Sequence, residues 1–316
     1  MKKFHGLDLL RGIAAFGIVG CHLGLSQRTS GGAWVTALCN FNVGLFAAIS
    51  GFLMNSGTKE LGEYVRKRAR RILPTYLVWS LIYVIATAGF DLVLDGGHLN
   101  ERYYSLSNWT QVLFCGSAAT HLWFLICLFY SQVILNGVNI VMEWMKLQNV
   151  ARRMALIIAS VALLVCSISF SNWLCLYPVR LMAFLILGYL LKDLVKTDDI
   201  YLPLIGVVFM LAIHLGLNGV LPGFVRDYLL AIPVIMLFVS NKFHGGKVAT
   251  LLAATSMGVY LIHPLFARGA SFAVTRFVSP PYNVFVVLGD WVVVWLISLV
   301  AILVVLRIPC LKKFVK

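Results

Sequence analysis

An arginine and a histidine share one face of the first apolar segment. Arg11 and His22 are eleven residues apart, and at about 100° per residue eleven steps make three turns plus roughly 20°. In a helix both side chains would point the same way, about 16 Å apart along the axis. An imidazole accepts and returns a proton near neutral pH, and an arginine binds anions. The pair therefore predicts proton transfer at one depth and anion binding at another.

The other face of this segment carries Gly17, Gly20 and Gly24. Small residues let helices approach closely within a membrane, so this face is predicted to pack against other helices. The face with the arginine and the histidine, on which Ala15 and Ile18 lie between them, is predicted to line a cavity. The simpler alternative is that the arginine snorkels to the interface and the histidine hydrogen-bonds a neighbouring helix.

Four further residues at predicted spans are functional candidates. They are Asn42, His121, Trp123 and His263. Polar groups in a membrane span are costly, so each is a functional candidate. Both histidines fall at predicted outer ends of spans, near the predicted level of the first-span histidine. Simpler interpretations remain open, because Trp123 also suits interface anchoring and His263 also suits a hydrogen bond at a helix end.

The segment 59–71 (KELGEYVRKRARR) is strongly basic, with six Lys or Arg among thirteen residues. As a cytoplasmic loop it would satisfy the positive-inside rule and attract anionic lipid. It would also suit a polyanionic ligand such as a nucleotide phosphate, because the planar guanidinium binds two oxygens at once. Arg68 and Arg71 are three residues apart on one helical face, just before Pro74 at the predicted start of the next span.

The composition defines the elements that must position these residues. The 316 residues are 60% hydrophobic and only 12% charged, against about 25% charged in a soluble domain. This excludes a soluble enzyme, a disordered chain and a nucleic-acid-binding module. A membrane-spanning helix needs about 20 mostly apolar residues. We therefore predict an all-α integral membrane protein, a single domain over residues 1–316 with about ten spans, near 7–25, 34–54, 72–90, 122–142, 154–170, 179–191, 200–217, 226–239, 248–266 and 283–306.

The basic residues predict the orientation of these spans. Most of the 26 Lys and Arg fall on one side of the predicted bundle, the side that also holds both termini. The positive-inside rule then places both termini in the cytoplasm and makes the chain a multi-pass protein of a bacterial cytoplasmic (inner) membrane. The seven cysteines show no ligand spacing, so no metal site is predicted. The sequence leaves the oligomeric state open, a homodimer included.

Five motifs in this order resemble the acyltransferase-3 family of integral-membrane acyltransferases. The segment 7–22 (LDLLRGIAAFGIVGCH) resembles the opening motif of the family, and 42–54 (NVGLFAAISGFLM) resembles its second-helix motif. The segment 66–74 (RKRARRILP) is similar to the Arg-x-x-Arg-Ile-x-Pro motif at the start of the third helix. Later helix motifs are similar to 121–125 (HLWFL) and 256–266 (SMGVYLIHPLF).

This resemblance implies a function and roles for residues. Family members transfer an acyl group, usually acetyl from cytoplasmic acetyl-CoA, to a hydroxyl of a surface glycan or a lipid-linked sugar. His22 would be the catalytic histidine and Arg11 its motif partner, while Arg68 and Arg71 would bind the donor with help from Arg11. Acetyl-CoA would be a co-substrate, with no permanently bound cofactor. The acceptor site or an oxyanion contact would be formed by residues among Asn42, His121, Trp123 and His263. Longer members carry an acidic residue just after the tryptophan that corresponds to Trp123. This chain has none there, so it looks more similar to the short, single-domain O-acetyltransferases.

A polytopic transporter or flippase of a glycan or lipid-linked intermediate is the alternative. Polar residues within spans and a basic cytoplasmic face fit that class too. However, transporters commonly contain pseudo-symmetric repeats, and none is visible in the sequence. Binding of acetyl-CoA would discriminate the two, because an acyltransferase must recognise the donor and a flippase need not.

Overall fold

The computed structural model describes residues 4–24, 32–54, 60–94, 109–111, 118–119, 121–169, 173–194, 199–217, 219–240, 243, 246–277 and 282–315. This part of the chain contains ten helices of 16 residues or more and one short helix. They are α1 (His5–Cys21), α2 (Gly32–Phe52), α3 (Leu61–Leu94), α4 (Trp123–Trp144), α5 (Asn149–Ser169), α6 (Trp173–Leu194), α7 (Tyr201–Gly216), α8 (Gly223–Val239), α9 (Lys247–Phe277), α10 (Val284–Val305) and α11 (Pro309–Lys312).

Each of the ten predicted spans overlaps one of these helices, and the class of an α-helical membrane protein is confirmed. Among the described residues, six helices are long and apolar enough to cross a membrane: Gly32–Phe52, Leu61–Phe90, Trp123–Trp144, Asn149–Ile168, Lys247–Ala270 and Val284–Val305. Membrane crossing by the other four long helices stays a prediction. The apolar segment 109–117 (WTQVLFCGS) is too short to cross a membrane. Its residues 109–111 are helical and the rest lies outside the described residues.

The basic segment is helical, which corrects its prediction as a loop. From Leu61 onward it forms the first turns of α3, and the helix continues without a break past Pro74. Proline lacks an N–H and so removes one backbone hydrogen bond in the preceding turn. The adjacent Thr75 hydroxyl donates to the Arg71 carbonyl at 3.4 Å. Since α3 is continuous, the arginines of this segment have fixed helical positions.

Two compact units divide the chain, the first formed by Met1–Leu53 and Phe184–Lys316. At its centre α1 packs against α2, α8, α9 and α10. Almost every face of α1 is therefore covered, although Ile13 remains 44% exposed. The α7–α8 hairpin packs on α2 through α8, and α10 packs on α9.

The second unit, Met54–Ala183, is built on the helix pair α3 and α4. Two contacts show that these helices run antiparallel. At one end Leu61 lies 3.9 Å from the position that a Cβ on Gly137 would occupy, and at the other end the Tyr83 and His121 rings lie 4.9 Å apart. The prediction that residues 1–316 form a single domain stays a prediction.

Gly17 is required for the close packing of α1 against α2. A Cβ at this position would overlap the amide nitrogen of Asn42. That nitrogen is fixed, because it donates to the Leu38 carbonyl at 2.8 Å and to the Cys39 carbonyl at 3.1 Å. The predicted packing face of α1 is therefore confirmed at Gly17, whereas Gly24 is exposed beyond the helix with φ 61°.

We expect Gly17→Ala to destabilise the protein by about 1–3 kcal/mol, since overpacking of a fixed core contact has this cost. Gly89→Ala is the matched control, because no described atom lies within 4 Å of its added Cβ. The control should gain about 0.5–1 kcal/mol of helix stability. Thermal unfolding in detergent, followed by near-UV circular dichroism, measures both. A Gly17→Ala variant that melts at or above wild type would contradict this packing argument.

Candidate active site

His22 lies immediately after the end of α1. The helix ends at Cys21, and the His22 backbone N–H donates to the Val19 carbonyl at 3.2 Å in a tightened last turn. The ring is partly buried and lies beside that of His263 on α9, with 5.0 Å between centroids and 53° between the ring planes. Two imidazoles that were predicted at one membrane level are therefore neighbours.

The tautomer of His263 follows from its contacts. The side chain is fully buried, and its Nδ1 lies 2.8 Å from the Tyr260 carbonyl and 3.1 Å from the Val259 carbonyl. A carbonyl oxygen only accepts, so Nδ1 must carry the proton. The Nε2 of a neutral His263 then holds a lone pair and accepts rather than donates. The helix-end hydrogen bond considered from the sequence is present, and it fixes the ring beside His22.

Side chains of α10 contact α1 shortly before His22. The Trp291 indole N–H donates to the Phe16 carbonyl at 2.8 Å. The Phe16 and Trp291 rings stack with 4.5 Å between centroids, and Trp295 meets Phe16 edge-on at 5.5 Å. These contacts lie less than two turns before His22. The helix that carries the candidate base is therefore fixed in position.

Arg11 is partly buried and lies three turns before His22 on α1, about 16 Å away along the axis. Ala15 and Ile18, which were predicted to line a cavity between the two, are each only 1% exposed. This stretch is packed against protein, because α1 has neighbouring helices on several sides. The prediction of a cavity wall at Ala15 and Ile18 is therefore wrong.

Asn42 has a packing role against α1. It is 8% exposed, and its amide nitrogen donates to two carbonyls of its own helix. The amide nitrogen is thus engaged within α2. The structure brings Asn42 to α1 at the level of Gly17, which is one and a half turns before His22.

The two candidate donor-binding arginines lie on one helix of the second unit. Arg68 is half-buried, and its guanidinium carbon lies 5.1 Å from the centroid of the buried Tyr64 ring. This cation–π contact orients the guanidinium without neutralising its charge. Arg71 is exposed one turn further along α3. An anion could therefore reach both side chains.

His121 and Trp123 lie at the far end of the same helix pair. His121 is 2% exposed and meets Tyr83 edge-on, and Tyr83 is about 22 Å along α3 from Arg68. Trp123 is half-buried at the first turn of α4, with its ring 6.0 Å from that of Phe124. The structure thus places these two residues and the arginines at opposite ends of α3 and α4.

One buried charged cluster escaped the sequence analysis, which assigned no role to His214. His214 is 1% exposed and its Nδ1 lies 3.6 Å from a carboxylate oxygen of Asp227. Arg226 donates to the carbonyls of His214 and Leu221, the second at 3.2 Å. The cation therefore caps the last turn of α7. The adjacent charges 226 and 227 at the start of an apolar helix were the available signal.

The long apolar helices define an α-helical integral membrane protein, and the adjacent rings of His22 and His263 form a candidate catalytic centre. The acyltransferase domain family called acyltransferase-3 matches residues 4–308. Because the match covers nearly the whole chain, the protein belongs to this family and is a multi-pass membrane acyltransferase. No curated protein and no solved structure matches the chain. The family match favours acyl transfer over the transporter or flippase hypothesis.

Proposed function

We propose that the protein moves an acetyl group from cytoplasmic acetyl-CoA to a hydroxyl of a surface polysaccharide or a lipid-linked sugar, in a bacterial cytoplasmic membrane. The observation that carries this proposal is the His22 ring beside His263 in a chain of the acyltransferase family. An imidazole at the predicted outer membrane level suits an acceptor hydroxyl that arrives from outside.

The proposed topology has ten membrane-crossing helices and both termini in the cytoplasm. It adds α1, α6, α7 and α8 to the six helices that satisfy the length and hydropathy requirement. The distribution of Lys and Arg supports this orientation. It places the basic start of α3 on the cytoplasmic side, where a CoA thioester is available, and His22 near the outer side.

In the proposed reaction His22 acts as the general base. A ring nitrogen takes the proton of the acceptor hydroxyl while its oxygen attacks the thioester carbonyl carbon. The tetrahedral intermediate collapses with cleavage of the carbon–sulfur bond, and the thiolate of CoA takes the proton back from the imidazolium. The products are the O-acetyl ester and the free thiol of CoA.

His263 is proposed to position His22. Its Nδ1–H is bound to backbone carbonyls, so its Nε2 accepts a hydrogen bond rather than donating one to an oxyanion. Acceptance from a ring N–H of His22 would direct the other nitrogen of His22 toward the acceptor hydroxyl. This arrangement supports a positioning role better than the oxyanion role predicted from the sequence.

The remaining residues are assigned by charge and position. Arg68 and Arg71 are proposed to bind the phosphates of the donor, because both guanidinium groups are available on one helix. Arg11, with its charge three turns before the base, is proposed to contact the donor as well. His121 and Trp123 remain proposed contacts for the acceptor.

Release of the CoA thiol tests the proposed reaction directly. The purified protein in nanodiscs should release free CoA thiol from acetyl-CoA only when a hydroxyl acceptor is present, since His22 must have a proton to remove. A thiol-reactive dye measures release, and membrane glycolipid extracts with and without prior chemical O-acetylation supply matched acceptors. Equal release with both extracts, or none with either, would contradict the proposal.

A further inference from the structure

We propose that two buried amide side chains of α4, those of Gln132 and Asn136, bind the pantetheine arm of the acyl donor. This inference rests on the proposed function, because it takes acyl-CoA as the donor. It assigns the uncharged part of that ligand to α4, whereas the phosphates are assigned to arginines of α3.

Asn136 and Gln132 have unsatisfied hydrogen-bonding groups. Asn136 is 0% exposed, and neither atom of its amide has a hydrogen-bond partner among the described residues. Gln132 is 4% exposed, and its Oε1 likewise has none within the described part of the chain. Buried polar groups are nearly always hydrogen-bonded, so these two amides need a partner beyond the described residues. Being four residues apart, they share one face of the helix.

Asn139 provides a contrast on the same helix. It is also buried at 2% exposure, but its amide nitrogen donates to the Leu135 carbonyl at 3.0 Å. A buried asparagine of α4 can therefore satisfy its donor within the helix. Asn136 does not, although it lies at a comparable place in the helix. Gln132 and Asn136, unlike Asn139, therefore need a hydrogen-bond partner from outside the helix.

The amide pair of α4 lies beside the part of α3 that carries the basic segment. Gly137 lies beside Leu61, so the adjacent Asn136 is level with the first turns of α3. Gln132 lies about 6 Å further along the helix pair, close to the level of Arg68. Since Arg68 covers the Tyr64 ring, the amides and the candidate phosphate-binding charge lie at the same end of α3 and α4.

The chemistry of the donor fits such a combination. The phosphates of acyl-CoA require cations, and its pantetheine arm carries two secondary amides and a hydroxyl without charge. The primary amide of Asn or Gln supplies both N–H donors and a carbonyl acceptor, which complement the C=O and N–H of a secondary amide. One ligand would therefore satisfy the arginines of α3 and the amides of α4 together.

Binding of two ligands with and without the arm tests this assignment. Isothermal titration in nanodiscs would compare acetyl-CoA with adenosine 3′,5′-bisphosphate, which keeps the adenosine and two of the three phosphate groups but lacks pantetheine. For Gln132→Leu and Asn136→Leu we expect the Kd for acetyl-CoA to rise about tenfold or more, because polar groups of the arm lose their partners. The Kd for the bisphosphate should stay unchanged. Asn139→Leu is the matched control and should leave both values unchanged.

Stability measurements separate this role from a structural one. Leucine at an unsatisfied buried site should keep or raise the unfolding temperature of the unliganded protein, so weaker binding would not reflect misfolding. Asn136→Ala is a second variant with the same expected loss of acetyl-CoA affinity.

Three results would overturn the inference. These are unchanged acetyl-CoA binding in both leucine variants, an equal loss for both ligands, or wild-type affinity for acetyl-CoA no higher than for the bisphosphate. The donor-site proposal survives all three. It fails separately if wild-type protein binds neither ligand.

Discussion

Replacing His22 with alanine is expected to abolish acyl transfer while leaving acetyl-CoA binding largely intact. General-base catalysis contributes typically 10²–10⁴-fold to a rate. The fully buried ring of His263 is held in place by the carbonyls of Val259 and Tyr260, so it does not move into the position of His22. Release of CoA thiol in the presence of a hydroxyl acceptor measures the rate. Titration with acetyl-CoA measures binding on the same preparation.

His5→Ala is the matched control for this result, since His5 is an imidazole at the opposite end of the same helix. It should turn over at the wild-type rate. His263→Ala should slow transfer less than His22→Ala, because a residue that positions the base does not itself take the proton. Wild-type turnover by the His22→Ala variant would refute the proposed mechanism.

Removing the two candidate donor-binding arginines is expected to give the second large effect. The double variant Arg68→Ala/Arg71→Ala should raise the Kd for acetyl-CoA at least tenfold, since hydrogen bonds to charged groups contribute about 1.5–3 kcal/mol each and 1.4 kcal/mol is tenfold. The wild-type affinity should also fall as salt rises, because Arg71 is exposed and its field is screened. Titration in nanodiscs at two salt concentrations measures both effects.

Arg152→Ala/Arg153→Ala controls for the loss of two positive charges. These arginines lie in the same unit at the start of α5, and Arg152 pairs with Glu143 at 3.3 Å. Acetyl-CoA should bind this variant as it binds wild type. If both double variants lost affinity for acetyl-CoA equally, general electrostatic attraction would explain the binding better than a specific site at Arg68 and Arg71. Unchanged binding in both variants would mean that Arg68 and Arg71 do not bind the donor and act in topology or lipid binding instead.

The sequence by itself determined the helices and the order of the family motifs. Apolar runs define membrane helices because lipid requires each span to satisfy its own backbone over a fixed length, and this information is local. The spacing of Arg11 and His22 is local for the same reason. The start of α3 was the exception. Its charges indicated a loop, whereas the structure continues the helix from Leu61 to Leu94.

Only the tertiary structure decided which residues meet. The contact between His22 and His263 joins two helices that are distant in the chain, and no periodicity specifies such a pairing. Packing also decided that the amide nitrogen of Asn42 bonds within its own helix while the amide of Asn136 does not. The physical reason is that a buried polar group is satisfied by whatever the fold brings beside it. A sequence shows the group but not its neighbours.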